Sequence, residues 1–149
     1  MNYIHEGNVM HTIFSTINTI DDVDRVLSEI ETEGILYDDS IDPVKLRTDL
    51  KKKFDNPIVK DWFSGRWKLF NECTILHIDP VSNELVERRP DRVMTDGDEL
   101  VVVDFKFGKM HPEYFDQVRM YMYLLQKMGH KNVKGYLWFV KNNKIEEVK

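Results

Sequence analysis

Residues 89–106 read RPDRVMTDGDELVVVDFK. Two runs of strand-forming residues flank an Asp-Gly-Asp turn, a pattern that predicts an antiparallel β-hairpin. If Gly97 and Asp98 are the central turn residues, Asp91 faces Asp104 directly across the two strands. A turn centred one residue away would leave the two aspartates as diagonal neighbours. The sequence therefore predicts two carboxylates close together on adjacent strands.

The chemistry of this pair depends on a lysine two residues further along the chain. Side chains alternate along a strand, so Lys106 shares the face of Asp104, while Val103 and Phe105 point to the other face. Two converging carboxylates repel each other, and a divalent cation that prefers oxygen ligands, Mg²⁺ or Mn²⁺, removes that cost. The lysine can hold an attacking water or stabilise charge on a phosphate oxygen. These are the groups needed for metal-assisted hydrolysis of a phosphodiester bond.

The residues alone leave a plainer alternative open. Two aspartates beside a turn also occur in ordinary surface hairpins, where Lys106 would pair with one of them. A lone helical histidine such as His11 is more often structural than a metal ligand, although imidazole suits Mn²⁺. Glu72 is by itself an ordinary acidic residue in a strand.

The remaining pattern predicts an α/β fold. Apolar spacing, N-cap residues and prolines predict four N-terminal helices, at about 7–20, 22–33, 43–54 and 57–65. Turn-bounded apolar runs predict strands at about 67–78, 84–95 and 99–106, a helix at 112–127 closed by Gly129, a strand at 133–140 and an edge strand at 144–148. This order of helices, three strands, helix and strand predicts a mixed central sheet flanked by helices, with the carboxylate pair on its second and third strands.

The predicted helix at 112–127 carries a polar pair. Gln117 and Tyr121 are four residues apart and therefore lie on one helix face. The same face is predicted to carry Glu113, Leu124 and Met128. From the residues alone, this polar pair could be the edge of a packing face.

Composition excludes several classes of protein. The 149 residues fit one domain, and 42% hydrophobic with 11% aromatic content excludes a disordered chain. The apolar runs are too short to span a bilayer, and the N-terminus is unlike a signal peptide. Cys73 is the only cysteine, so the chain supplies neither an internal disulfide nor an iron–sulfur cluster, and there is no P-loop for ATP. We infer a cytoplasmic protein.

Charge is distributed unevenly along the chain. The net charge of −5 argues against binding nucleic acid by general electrostatics. Residues 21–42 hold nine acidic residues and one arginine, whereas residues 45–68 hold eight basic and three acidic ones. A charge run of this kind is usually a solvated helix face. The alternative is a patch along a phosphate backbone, in which Lys51, Lys52 and Lys53 would contact DNA.

These residues resemble a known family. Pro90-Asp91 followed by Asp104-Phe105-Lys106 resembles the motif of the PD-(D/E)XK nucleases. The flanking residues are similar to the RecB-like branch, the nuclease domain of helicase–nucleases of the exonuclease V and AddA type. The further matches, in family order, are Gly7 and His11 of a G-x-x-x-H helix, Glu72 on the first core strand, residues 104–108 of a D-Y-K-T-G block, and Gln117 and Tyr121 of a Q-x-x-x-Y helix.

The resemblance implies a restriction-endonuclease-like core that cleaves DNA with Mg²⁺ or Mn²⁺. The implied metal ligands are His11, Asp91, Asp104 and the Phe105 carbonyl. Lys106 would be the catalytic lysine, acting with Asp91 and Asp104, and Glu72 would be an accessory acid. Gln117 and Tyr121 would support the site or contact the DNA backbone.

The resemblance also implies partners. We expect residues 1–149 to form a single nuclease domain, a fragment of a larger helicase–nuclease whose motor lies upstream. It would digest single strands or duplex ends exonucleolytically in DNA recombination and repair, with the helicase domains and a second subunit as partners. A free-standing nuclease, an inactive nuclease-like DNA-binding module, and an interaction domain that docks on a helicase through the acidic residues 21–42 stay open as alternatives.

Overall fold

The fold is that of a computed structural model, which describes residues 3–32, 43–70 and 74–149. The chain divides into two compact units, Met1–Trp67 and Lys68–Lys149. Glu72 and Cys73 lie outside the described residues, as do Gly34, which follows the helix predicted at 22–33 and is expected to end it, and Asp42, which precedes the helix predicted at 43–54 and is expected to cap it.

The first unit is helical. Its helices are α1 (Tyr3–Thr16), a short 3₁₀ helix (Ile20–Asp22), α2 (Val23–Thr32), α3 (Pro43–Lys53) and α4 (Pro57–Trp62). The helix predicted at 7–20 begins and ends earlier, and at its end the Asp22 carboxylate accepts hydrogen bonds from the backbone N–H groups of Asn18 and Thr19, at 3.1 and 3.0 Å. Such local side-chain bonds compete with continuation of a helix.

The predicted start of α4 is confirmed, and its predicted end is wrong. The Asn56 side chain accepts a hydrogen bond from the Ile58 N–H at 3.0 Å, as expected of an N-cap. The helix ends at Trp62 rather than near Gly65, which adopts a φ of +96° in the turn that follows. Phe14, Phe54 and Phe63 pack together in the core of this unit, with ring centroids 5.5 to 6.3 Å apart.

In the second unit, the described residues form two sheets and one helix. Its elements are β1 (Lys68–Leu69), β2 (Ile75–Ile78), β3 (Leu85–Arg88), β4 (Arg92–Thr95), β5 (Glu99–Lys106), α5 (Pro112–Lys127), β6 (Asn132–Phe139) and β7 (Lys144–Val148). The five-stranded sheet has the order β1-β4-β5-β6-β7, and only β5 and β6 pair in parallel. The predicted α/β class with a mixed sheet flanked by helices is confirmed.

The predicted number of strands is wrong. The strand expected at 67–78 is two short strands, β1 and β2, and the strand expected at 84–95 is β3 and β4. β3 pairs with β2 in a separate two-stranded sheet, whereas β4 joins the main sheet. The break falls at Pro90, which has no N–H to donate to a strand ladder.

The register of the β4–β5 hairpin is the predicted one. Arg92 pairs with Val103 and Val93 pairs with Val102, so the next position outward places Asp91 opposite Asp104. Gly97 has a φ of +100°, which the tight turn between the strands requires.

α5 connects the parallel strands β5 and β6 and packs on one face of the sheet. Its buried residues are Val118, Tyr121 and Leu125. A Cβ on Gly135 of β6 would lie 2.6 Å from Val118 Cγ1, so this glycine permits a close approach of helix and sheet. Gly129, with a φ of +107°, follows the end of the helix as predicted. Among the described helices, none has the length and apolar character needed to cross a membrane.

Candidate active site

Two aspartates are held by reciprocal hydrogen bonds at the end of the β4–β5 hairpin opposite its turn. The backbone N–H of Phe105 donates to Asp91 Oδ2 at 2.8 Å, and the backbone N–H of Asp91 donates to Asp104 Oδ1 at 3.2 Å. Each carboxylate is thus held by the strand that carries the other one. The register makes these reciprocal bonds possible, because it places residues 91 and 104 opposite each other.

The pair is electrostatically unfavourable in the protein alone. Asp104 is only 4% exposed. Burial and the neighbouring charge of Asp91 raise the pKa of Asp104 to about 6, and the positive charge of Lys106 opposes this rise. A carboxyl group with a raised pKa beside a second carboxylate is a frequent feature of functional sites, because folding alone does not favour it.

Lys106 is fixed beside the pair by three contacts. Its ammonium Nζ lies 3.3 Å from Asp104 Oδ2 and donates to Gln117 Oε1 at 3.1 Å. It also lies 4.4 Å from the ring centroid of Tyr114. Lys106 and Asp104 share a face of β5, as predicted, and both contact or face α5. A half-buried ammonium group in this position can approach a phosphate that contacts the carboxylates.

The polar pair predicted on α5 lies at this site. The Gln117 side chain accepts a hydrogen bond from Lys106 and also interacts with the Tyr121 phenol, whose pKa it lowers. Burial, together with the charges of Asp104 and Asp91, raises the pKa of Tyr121 to about 12, so the phenol stays protonated at neutral pH. α5 therefore supplies a support for the lysine and a neutral hydroxyl behind the carboxylates.

The predicted composition of this helix face is partly wrong. The side chain of Glu113 is 75% exposed and Met128 is 64% exposed, so neither belongs to the buried face. A straight helix has 3.6 residues per turn, and positions spaced by four drift around its axis over its length. The buried face follows Val118, Tyr121 and Leu125 instead.

Tyr114 is a site residue that sequence reasoning missed. Its ring packs against the Lys106 ammonium group and, edge to face, against His111, with centroids 5.2 Å apart. The sequence spacing could have indicated this residue, because residues three and seven positions before a helical partner lie on the same helix face as that partner. Tyr114 stands in this relation to Gln117 and Tyr121.

The oxygen donors at this site suit a hard divalent cation. Carbonyls alternate along a strand, and the Lys106 carbonyl accepts from Val140 N–H on the β6 side at 3.0 Å. The Phe105 carbonyl is therefore directed, like its N–H, toward Asp91. Two carboxylates and a main-chain oxygen are the ligand types that Mg²⁺ and Mn²⁺ prefer. Among the described residues, no three His, Cys, Asp or Glu side chains converge on one point, so Asp91 and Asp104 are the side-chain donors found there.

Of the other predicted site residues, one belongs to the first unit and one is not described. His11 is on α1 in the first unit, where it is partly buried, and its role as a metal ligand stays a prediction. Glu72 lies outside the described residues, so its role also stays a prediction.

The lysines proposed as DNA contacts lie at the end of α3. Lys51 is 4.0 Å from Asp24, which also forms an ion pair with Arg47. Burial lowers the pKa of Lys53, and Lys52 is exposed. Part of the basic run is thus paired within the helical unit, and contact with DNA stays a prediction.

A comparison with protein families agrees with this site. The family model of the PD-(D/E)XK nuclease superfamily matches residues 3–149, so the chain belongs to that superfamily. Its nucleases typically use divalent metals such as Mg²⁺. The search of curated proteins found no match to the chain.

Proposed function

We propose that the chain is a divalent-metal-dependent deoxyribonuclease that hydrolyses phosphodiester bonds in DNA. The observation that carries this proposal is the reciprocal hydrogen bonding of Asp91 and Asp104 with Lys106 at 3.3 Å from the second carboxylate. Family membership supports the reaction class. The register of one hairpin thus accounts for both the metal ligands and the catalytic cation.

The residues have separate roles in this proposal. Asp91, Asp104 and the Phe105 carbonyl would hold Mg²⁺ or Mn²⁺, and the metal would supply Lewis-acid activation of water and neutralise phosphate charge. Lys106 would orient the attacking water or stabilise charge on the phosphate oxygens. Gln117 and Tyr114 would position Lys106, and Tyr121 would place an uncharged hydroxyl behind the carboxylates.

Finer assignments rest on the RecB-like motif set. They are separate from the cytoplasmic setting, which rests on the single cysteine, and consist of an exonuclease acting on single strands or duplex ends in recombination and repair and of a helicase partner. His11 as a metal ligand and Glu72 as an accessory acid have the same basis. His11→Ala tests the histidine directly: a ligand role predicts loss of Mn²⁺ affinity, whereas a structural role leaves Mn²⁺ affinity unchanged in a folded variant.

The test of the proposed function is a cleavage assay on labelled single-stranded and duplex DNA with Mg²⁺, Mn²⁺ or a chelator. We expect cleavage with either metal and none with the chelator. Cleavage that persists in chelator would contradict the metal mechanism. Metal-independent binding of DNA, with no cleavage under any metal, would instead favour the alternative of an inactive nuclease-like DNA-binding module.

Tyr114 provides a further test of the lysine site. Tyr114→Leu removes the ring beside the ammonium group, and we expect a roughly 3- to 30-fold fall in kcat, the usual range for a partly buried cation–π contact. Tyr114→Phe keeps the ring and should retain activity within about twofold. Steady-state cleavage kinetics of both variants measure the effect.

The matched control is Tyr123→Leu, because Tyr123 also lies beside a lysine on α5, with Lys127 Nζ 5.1 Å from its ring. Tyr123 and Lys127 lie toward the C-terminal end of α5, and Tyr123 is exposed, so the loss of this contact should leave kcat unchanged. Equal losses for Tyr114→Leu and Tyr114→Phe would contradict a role for the ring.

A further inference from the structure

Arg88 is a cationic residue that has no role in the catalytic arrangement proposed above. It is the last residue of β3, three positions before Asp91, and it is exposed. Its backbone belongs to the β2–β3 ladder, but within the described parts of the chain its guanidinium group makes neither a hydrogen bond nor an ion pair. This distinguishes it from Lys106, whose ammonium group is held by Asp104, Gln117 and Tyr114.

The strand pairing places Arg88 on the side of the β2–β3 hairpin that faces the active site. Arg88 is paired with Ile75, and directly opposed residues of an antiparallel pair project to the same face. Ile75 is 1% exposed and packs in one core cluster with Val93 and Tyr121. The guanidinium group therefore emerges next to the residues that back the carboxylate pair.

Electrostatics agrees with this placement. Tyr121 is affected by the negative charges of Asp104 and Asp91, which raise its pKa, and by the positive charge of Arg88, which lowers it. The arginine and both carboxylates therefore act on the same phenol. The adjacent Arg89 alternates to the opposite face of the strand, where it donates to Thr74 Oγ1 at 3.3 Å.

We infer that Arg88 binds a phosphate of the substrate strand beside the carboxylate pair. The inference rests on the proposed nuclease function and names a substrate-binding residue for it. An incoming phosphodiester meets two carboxylates on a chain of net charge −5, so an unpaired cation at the entrance offsets that repulsion. Guanidinium groups bind phosphate oxygens through two parallel N–H bonds, which also fixes the orientation of the strand.

Pro90 helps to define the spacing between this phosphate contact and the catalytic pair. The proline ring restricts the backbone between Arg88 and Asp91, and Pro90 is buried. A phosphate held by Arg88 would thus be kept at a defined distance from one held at the carboxylates. The interruption of the predicted strand at 84–95 then has a functional consequence.

The test is equilibrium binding of a short fluorescein-labelled single-stranded oligonucleotide to the full chain in chelator, measured by anisotropy over a range of salt concentrations. We expect Arg88→Met to weaken binding roughly 5- to 30-fold and to reduce the slope of log Kd against log salt by about 1. Arg88→Lys keeps the charge but cannot form two parallel N–H bonds to a phosphate. Its affinity should lie between those of wild type and Arg88→Met. Arg88→Gln is a second neutral variant should the methionine variant fold poorly.

The control is Lys134→Met, which also removes one strand cation. Lys134 pairs with Glu99 at 3.6 Å, on the face of the main sheet opposite to α5. Its loss should leave the affinity within about twofold of wild type and the salt slope unchanged. Equal weakening by Arg88→Met and Lys134→Met would overturn the inference, because it would indicate a response to net charge alone.

Cleavage measurements on the same proteins separate the two proposals. If wild type cleaves DNA and Arg88→Met binds and cleaves like it, the inference is wrong and the nuclease proposal stands. If wild type cleaves nothing under any metal but Arg88→Met still weakens binding selectively, the phosphate contact stands and the nuclease proposal fails. If a single methylphosphonate in the oligonucleotide weakens binding to wild type but not to Arg88→Met, the contacted phosphate is identified.

Discussion

Replacing Asp104 with asparagine should abolish DNA cleavage and at the same time stabilise the fold at neutral pH. Asparagine preserves the side-chain shape and the oxygen that accepts the Asp91 N–H. It removes a buried negative charge that lies against a second carboxylate. We expect cleavage to fall about a thousandfold or more, because a metal ligand is lost. We expect the free energy of unfolding at neutral pH to rise by about 1–3 kcal/mol.

The stabilisation expected of Asp104→Asn should depend on pH. The pKa of Asp104 in the folded chain, about 6, lies above its ordinary value of 3.8. The folded state therefore binds a proton at Asp104 more tightly than the unfolded state does, and the contribution of this group to stability is lost as the pH rises from about 4 to about 6. Asp104→Asn lacks this group, so its advantage over wild type should be present at neutral pH and absent at about pH 4.

Urea unfolding at the two pH values, together with a gel cleavage assay, measures both effects. Asp98→Asn is the matched control, because Asp98 is an exposed carboxylate in the turn of the same hairpin. It should change neither activity nor stability by much. A destabilised Asp104→Asn protein would show that the carboxylate has a structural role. A variant that cleaves like wild type would show that cleavage does not need the carboxylate.

The Lys106→Met variant should lose catalytic turnover but still bind the metal. The ammonium group lies on the carboxylate pair but is not among the oxygen ligands, so its removal leaves the metal donors intact. We expect kcat to fall roughly 100- to 1,000-fold, as for the loss of one group that stabilises transition-state charge. Calorimetric titration with Mn²⁺ should give an affinity within a few-fold of wild type.

The choice of pH matters for this comparison. Lys106 lowers the pKa of Asp104, so its removal raises that pKa further and lets protons compete with the metal near pH 6. The titration therefore belongs well above that pH, near pH 8, where the carboxylate is ionised in both proteins. Loss of Mn²⁺ affinity and turnover in equal measure would indicate that Lys106 holds the site together and has no part in the chemistry.

The sequence predicts the site better than it predicts the sheet around it. The positions of Asp91, Asp104 and Lys106 depend on one two-residue turn and on side-chain alternation, which are local properties. The bounds of α5, Pro112–Lys127, likewise follow from a proline at its start and a glycine after its end. At these positions local geometry decides, and the predicted positions agree with the structure.

The wrong predictions about the sheet concern choices between strand partners. Residues 84–95 are rich in strand formers throughout, and periodicity does not reveal that their first half pairs with β2 and their second half with β1 and β5. Pro90 was the available signal for the break. Tyr114 was missed for a related reason, since a tyrosine on an amphipathic helix is ordinary until the tertiary fold brings a lysine to its ring.

The central claim is that Asp91, Asp104 and the Phe105 carbonyl form a divalent-cation site. Crystals of the chain soaked in Mn²⁺, with anomalous diffraction data, test this most directly. We predict an ion bonded to both carboxylates and to that carbonyl, and none at the pair in crystals of Asp104→Asn. A carboxylate pair without an ion at saturating Mn²⁺, or an ion held only by other residues, would contradict the account.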